Sequence, residues 1–180
     1  FMVAVYHGRT TIAEFIFSKT KKLSLHEAAA IGNTDELERN LANKEINING
    51  FAPDGYTALA LACFFGNYEA AEHLIKAGAN VNLASNNESA VCPIHAAVAS
   101  NRNEIAHLLL ENRANPNKPQ HLGIYPIHSA VHRNNTEMVQ MLIENGANAR
   151  VRTDSGKSVI EIAADDNNVE LERMLRAYLL

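Results

Sequence analysis

The sequence contains no tryptophan and only two cysteines, Cys63 and Cys92, in 180 residues. Two cysteines cannot form a disulfide framework, and such sparing use fits a reducing, intracellular, cytoplasmic setting. No apolar run approaches the roughly 18–20 residues that a bilayer span requires, so no membrane insertion is expected. The opening residues, Phe1 to His7, lack the basic segment and small-residue cleavage site of a signal peptide. A strong excess of either charge is absent too: 16 Lys+Arg stand against 20 Asp+Glu, a net charge of −4. The one basic cluster, Lys19 to Lys22, is short, and a nucleic-acid binder needs a larger clustered positive surface. Neither G-x-x-x-x-G-K-[ST], G-x-G-x-x-G nor G-x-S-x-G occurs, and the eight histidines show no metal-ligand spacing. The expectation is therefore a chain without catalysis, cofactor or metal.

What is present is a folded composition, 47% hydrophobic and 20% charged, with an excess of asparagine: 21 Asn against 17 Leu. It also contains an internal repeat. Gly55-Tyr56-Thr57-Ala58-Leu59-Ala60-Leu61-Ala62 is echoed by Cys92-Pro93-Ile94-His95-Ala96-Ala97 and by Tyr125-Pro126-Ile127-His128-Ser129-Ala130. Weaker copies are Leu23-Ser24-Leu25-His26-Glu27-Ala28 and Ser158-Val159-Ile160-Glu161-Ile162-Ala163. With His26 as marker, the equivalents are Ala60, His95, His128 and Glu161, at steps of 34, 35, 33 and 33 residues.

Every unit follows one plan. A short Ala-rich apolar segment (58–65, 93–100, 126–133, 159–166) leads to a turn containing Asn67, Asn101, Asn134 or Asn167. A second segment with apolar residues at helical spacing follows, for example Ile105, Leu108 and Leu109. Loops such as Gly78-Ala79-Asn80-Val81-Asn82 close the unit. Asparagine suits these turns and loops because it tolerates left-handed backbone and bonds its own turn. A helix pair of this size buries too little apolar surface alone and must stack on its neighbours.

The Thr57-Ala58-Leu59-Ala60-Leu61-Ala62 stretch, the Pro-Ile-His copies and the Gly-Ala-Asn-Val-Asn tail resemble the ankyrin repeat, whose period is about 33 residues. The resemblance covers about residues 20–180. It departs at Ala60 and Glu161, where the family usually has His, and at one extra residue within 84–91. It implies an all-α solenoid of helix-turn-helix units with short β-hairpin fingers, divided as 20–50, 51–83, 84–118, 119–151 and 152–180. Residues 1–19 read as a degenerate partial repeat, with a second helix over Ile12 to Phe17. Its apolar residues Val3, Val5, Phe15, Ile16 and Phe17 imply an N-terminal face covered by further repeats or a partner in an otherwise monomeric protein. The Phe-Met start reads as a processed end or a boundary.

The resemblance also implies function: a protein-interaction module that binds a partner protein or peptide along a concave surface. The alternative is the targeting or regulatory segment of a larger enzyme, channel or secreted bacterial effector. The asparagine excess suits an AT-rich genome, and the bacterial case would place the protein in host cytoplasm. In such repeats the His of the Pro-Ile-His motif bonds between loops, so His26, His95 and His128 read as structural. The variable pairs before each mid-repeat turn are Tyr6-His7, Ala30-Ile31, Phe64-Phe65, Ala99-Ser100, His132-Arg133 and Asp165-Asp166. They pass from aromatic to small to basic to acidic. Aromatic residues and Arg dominate interaction hot spots, so Phe51, Tyr56, Phe64 and Phe65 form the first candidate patch. His121, Leu122, Ile124, His132 and Arg133 form the second. In similar eukaryotic repeats Asn49, Asn82 and Asn117 occupy a position open to hydroxylation by an asparaginyl hydroxylase; simple turn chemistry is the favoured account of them.

Overall fold

A computed structural model describes residues 2–8 and 22–179. The expected second helix of the partial repeat, with Phe15, Ile16 and Phe17, and most of the Lys19 to Lys22 cluster lie outside the described residues, as does the side chain of Val3.

The described residues form eleven α-helices. A short α1 (Met2–Tyr6) precedes five helix pairs: α2 (Leu25–Ile31) with α3 (Thr34–Leu41), α4 (Ala58–Phe65) with α5 (Tyr68–Lys76), α6 (Pro93–Ala99) with α7 (Asn103–Glu111), α8 (Pro126–His132) with α9 (Thr136–Glu144), and α10 (Val159–Asp165) with α11 (Val169–Leu179). The first helices of the pairs stack into an inner row, the second helices into an outer row, and α1 rests on α2. The inner row can approach closely because Ala28, Ala62, Ala97, Ala130 and Ala163, one per repeat at the same register, are wholly buried. From the outer row, Leu74, Leu109, Leu142 and Leu175 repeat in the same way and are equally buried. One continuous hydrophobic core results.

Helix starts are specified locally. Ser24 and Ser158 cap α2 and α10 in reciprocal boxes with Glu27 and Glu161, and Thr57 caps α4 by accepting from the Ala60 N–H at 3.1 Å. Caps of this kind contribute about 1 kcal/mol each. At α6 and α8 proline occupies the first turn and an imidazole replaces the carboxylate: Nδ1 of His95 accepts from the Cys92 N–H, and Nδ1 of His128 from the Tyr125 N–H, each at 3.2 Å. With Nδ1 accepting, the ring proton of His128 sits on Nε2, which donates to the Val151 carbonyl at 3.3 Å. His26 Nε2 likewise meets the Gly50 carbonyl at 2.9 Å. His95 differs: it is buried, and among the described residues its Nε2 has no hydrogen-bond partner.

The fingers are slighter than hairpins. Among the described residues they reduce to single antiparallel bridges, Phe51 with Thr57, Gln120 with Ile124, and Arg152 with Ser158. In the third finger, which carries the extra residue, Ser85 takes over: its N–H donates to the Val91 carbonyl and its hydroxyl accepts from the Val91 N–H.

Asparagine holds the stack together. Asn80, Asn115 and Asn148 each accept from the N–H two residues on, within their own turn (2.9 Å). Asn49, Asn82 and Asn117 instead accept from the next repeat, from the N–H groups of Asn80, Asn115 and Asn148 (2.7–2.8 Å). At the opposite end Asn101, Asn134 and Asn167 adopt positive φ of 53–60°. There Asn67 donates to the Ala29 and Ala30 carbonyls at the end of α2, Asn135 to Asn101 and Asn103, and Asn168 to Asn134. Eight of these eleven bonds run between repeats, where a reading of single turns does not reach.

Candidate protein-interaction groove

An apolar hollow lies between the inner helices and the fingers of the second and third repeats. It is a cavity of about 220 Å³ lined by Tyr6, Tyr56, Ala60, Leu61, Phe64, Val91, His95, Ala96, Ala99 and Gln120. The inner helices supply two registers to its lining: Leu61 and Ala96 one residue after the His marker, Phe64 and Ala99 four after it. Alanine at 96 and 99 is what leaves the hollow empty, because a larger side chain there would fill it.

The first candidate patch is divided by the structure. Phe64 and Tyr56 line the hollow, and Phe64 is 44% exposed. Phe65 does not line the hollow and is half-buried against a small cluster of Ala30, Ala52 and Leu61 with Met2, Val5 and Tyr56. It meets Phe64 edge-on at 5.2 Å between ring centroids and Tyr6 at 5.4 Å. Phe51 is exposed in its finger and does not line the hollow.

Tyr6 is the lining residue that the sequence pattern paired with His7 without joining to Phe64. It arrives from α1, and its hydroxyl donates to Asp54 Oδ2 at 2.6 Å, across 48 residues of chain. Burial, together with the bond to the Asp54 carboxylate, raises the phenol pKa above its ordinary value, so Tyr6 acts as a donor. Asp54 Oδ1 accepts from the Tyr56 N–H at 3.2 Å. Val91 and Gln120 were likewise outside the sequence patches, because finger residues carry no periodic signal of their own.

The second patch is also split. Ile124 and His132 line a second hollow of about 310 Å³ with His128, Ser129, Thr153, Lys157, Ile162, Asp165 and Asp166. Its charged groups pair internally: His132 Nδ1 with Asp166 at 3.1 Å and Lys157 Nζ with Asp165 at 2.5 Å. Leu122, at φ 62°, and His121 lie exposed in the fourth finger, outside that lining. The exposed Arg133 follows α8 and has no ion pair among the described residues.

Asn49, Asn82 and Asn117 lie in the ladder, and Asn82 and Asn117 also donate to the carbonyls of Arg113 and Gly146. Cys63 and Cys92 are free and buried, and burial pushes both thiols above their ordinary pKa. Among the described residues no group of His, Cys, Asp and Glu is placed to hold a metal ion, and no helix is long and apolar enough to cross a membrane.

A stack of five helix pairs at this period, open along a groove, defines a repeat protein of the protein-interaction class. The chain belongs to the ankyrin-repeat family: the family model, which describes ankyrin repeats in three copies, matches residues 1–85, 25–120 and 94–178. It is similar to the Notch-regulated ankyrin repeat-containing protein of Homo sapiens and that of Mus musculus, and to Notch-regulated ankyrin repeat-containing protein A of Danio rerio. Each is 44% identical over 62 residues, covering 33% of this chain and 54–55% of the relative. The chain spans about half the length of these relatives. Ankyrin repeats serve generally as protein-binding modules rather than as catalysts.

Proposed function

We propose that this protein binds a segment of a partner protein along the groove between its inner helices and fingers. An apolar side chain of the partner occupies the hollow against Phe64, and a polar or acidic group reaches Arg133. The observation that carries the reading is the conjunction at Phe64: a large aromatic ring, 44% exposed, over an unfilled apolar hollow. Buried aromatic anchors of this kind supply most of an interface's affinity, whereas surrounding contacts contribute little. The exposed guanidinium of Arg133 supports the second contact because Arg recognises carboxylates with two parallel hydrogen bonds. The buried thiols of Cys63 and Cys92 support a reducing compartment as the place of work.

Affinity capture from lysate tests the reading. Proteins retained by the wild type and lost with Phe64→Ala and with Arg133→Glu, both folded by circular dichroism, are the expected result. Equal retention by both variants overturns it. Hydroxylation of Asn49, Asn82 or Asn117 is a separate proposal. It predicts peptides one oxygen heavier in the mass spectrum of native protein.

A further inference from the structure

The charged side chains of the two fingers beside the hollow carry one sign. The second and third fingers (51–57 and 84–91) contain two acidic residues, Asp54 and Glu88, and no Lys or Arg. Neither carboxylate has a Lys, Arg or His partner among the described residues, whereas those facing the second hollow, Asp165 and Asp166, meet Lys157 and His132. Lys118, in the loop leading to the fourth finger, is engaged by the Asn82 carbonyl at 2.9 Å. Asp54 is held in place by two donors, the Tyr6 hydroxyl and the Tyr56 N–H, and both residues belong to the hollow's wall. Two hydrogen bonds fix a carboxylate without cancelling its charge, and lone pairs remain for a further donor. The carboxylate therefore stands one phenol ring from the apolar hollow. In an extended chain residues advance about 3.3 Å each, so a neighbour one or two positions from a buried anchor comes alongside it.

Resting on the groove reading above, we infer that the partner segment carries a Lys or Arg within two residues of its apolar anchor, and that Asp54, positioned by Tyr6 and assisted by Glu88, recognises it. The faces of Tyr6 and Phe64 favour the same occupant, because aromatic faces attract cations. The inference makes α1 part of the binding site: without Tyr6 the acidic end of the groove loses the donor that orients it.

Selection of a random twelve-residue peptide library on the full chain tests this. Wild type should enrich peptides with a large apolar residue and a basic residue one or two positions away. Asp54→Asn should weaken the selected peptides about tenfold, the scale of a hydrogen bond to a charged group. Tyr6→Phe, which keeps the ring, should weaken them less. Asp54→Lys should select peptides that keep the apolar residue and lose the basic one. Ala99→Trp, which fills the hollow, should abolish binding of all of them. Wild-type selection of acidic or uncharged neighbours, or an unchanged basic preference on Asp54→Lys, overturns the inference while leaving the groove reading intact. Full binding by Ala99→Trp, or a library that yields no binder, overturns both.

Discussion

Acid should destabilise this protein well above the pH at which carboxylates titrate, and His95 supplies the reason. Its imidazole is buried, Nδ1 accepts the Cys92 N–H, and Nε2 has no hydrogen-bond partner among the described residues. A proton on Nδ1 would therefore destroy a cap bond and place a charge inside the stack. Burial lowers its pKa from the ordinary 6.5 to about 4. Because the folded-state value is depressed, the unfolded chain binds the proton more readily. The contribution is complete above pH 6.5 and is lost as pH falls towards 4. One pKa unit is worth about 1.4 kcal/mol, so this residue alone removes about 2 kcal/mol between pH 7.5 and pH 5, and about 3 kcal/mol by pH 4. That is a large share of the ~5–15 kcal/mol typical of folded domains. His128 is shifted in the same direction by burial and adds to the loss. Glu161, held below its usual range by Ser158, adds a further loss only as pH falls through the ordinary carboxylate value. Urea unfolding at pH 7.5, 6.5, 5.5 and 5.0, for wild type and His95→Gln, measures the slope directly. His95→Gln should be flatter across this range. An identical slope, or an NMR titration placing His95 near 6.5, would refute the argument.

Three further outcomes follow from the packing. Phe65→Ala should cost stability, about 2–3 kcal/mol for a half-buried ring against the ~3–5 of a fully buried one. Phe64→Ala should cost under 1 kcal/mol in the same chemical denaturation, so the two neighbours separate folding from binding. Asn67→Ala removes the donor to the Ala29 and Ala30 carbonyls and should lower stability by about 1–3 kcal/mol; Asn67→Asp should not restore it, since a carboxylate cannot donate, and thermal melts would show this. Leu109→Ala, at a wholly buried core position, should cost about 2–5 kcal/mol, and amide exchange should show the loss spreading to the helices stacked on α7.

Repetition made the fold legible in the sequence. A register such as Ala28, Ala62, Ala97, Ala130 and Ala163 states its own burial five times, and the interruption of each unit by Asn or Gly marks the turn. Helix starts were legible to within a residue, because Ser158 with Glu161, or Pro93 with His95, specifies a cap through neighbours alone. The fingers were less so. Their expected hairpins shrink to single bridges because so few residues face one another, and the third is held by the Ser85 side chain instead.

For the candidate groove the division is sharper. Sequence alone determined that Phe64 and Phe65 stand at a variable position before a turn, that no catalytic motif accompanies them, and that asparagine fills the turns. Only the tertiary structure decided which ring faces outward, since consecutive helical residues point about 100° apart and the stacking of α1 and α2 fixes where Phe65 must go. It also decided that Tyr6 and Asp54, 48 residues apart, share a hydrogen bond, and that Asn49, Asn82 and Asn117 serve the next repeat rather than their own. Periodicity encodes what each unit repeats. Contacts between units depend on how the stack brings distant residues together, and the groove is made of those contacts.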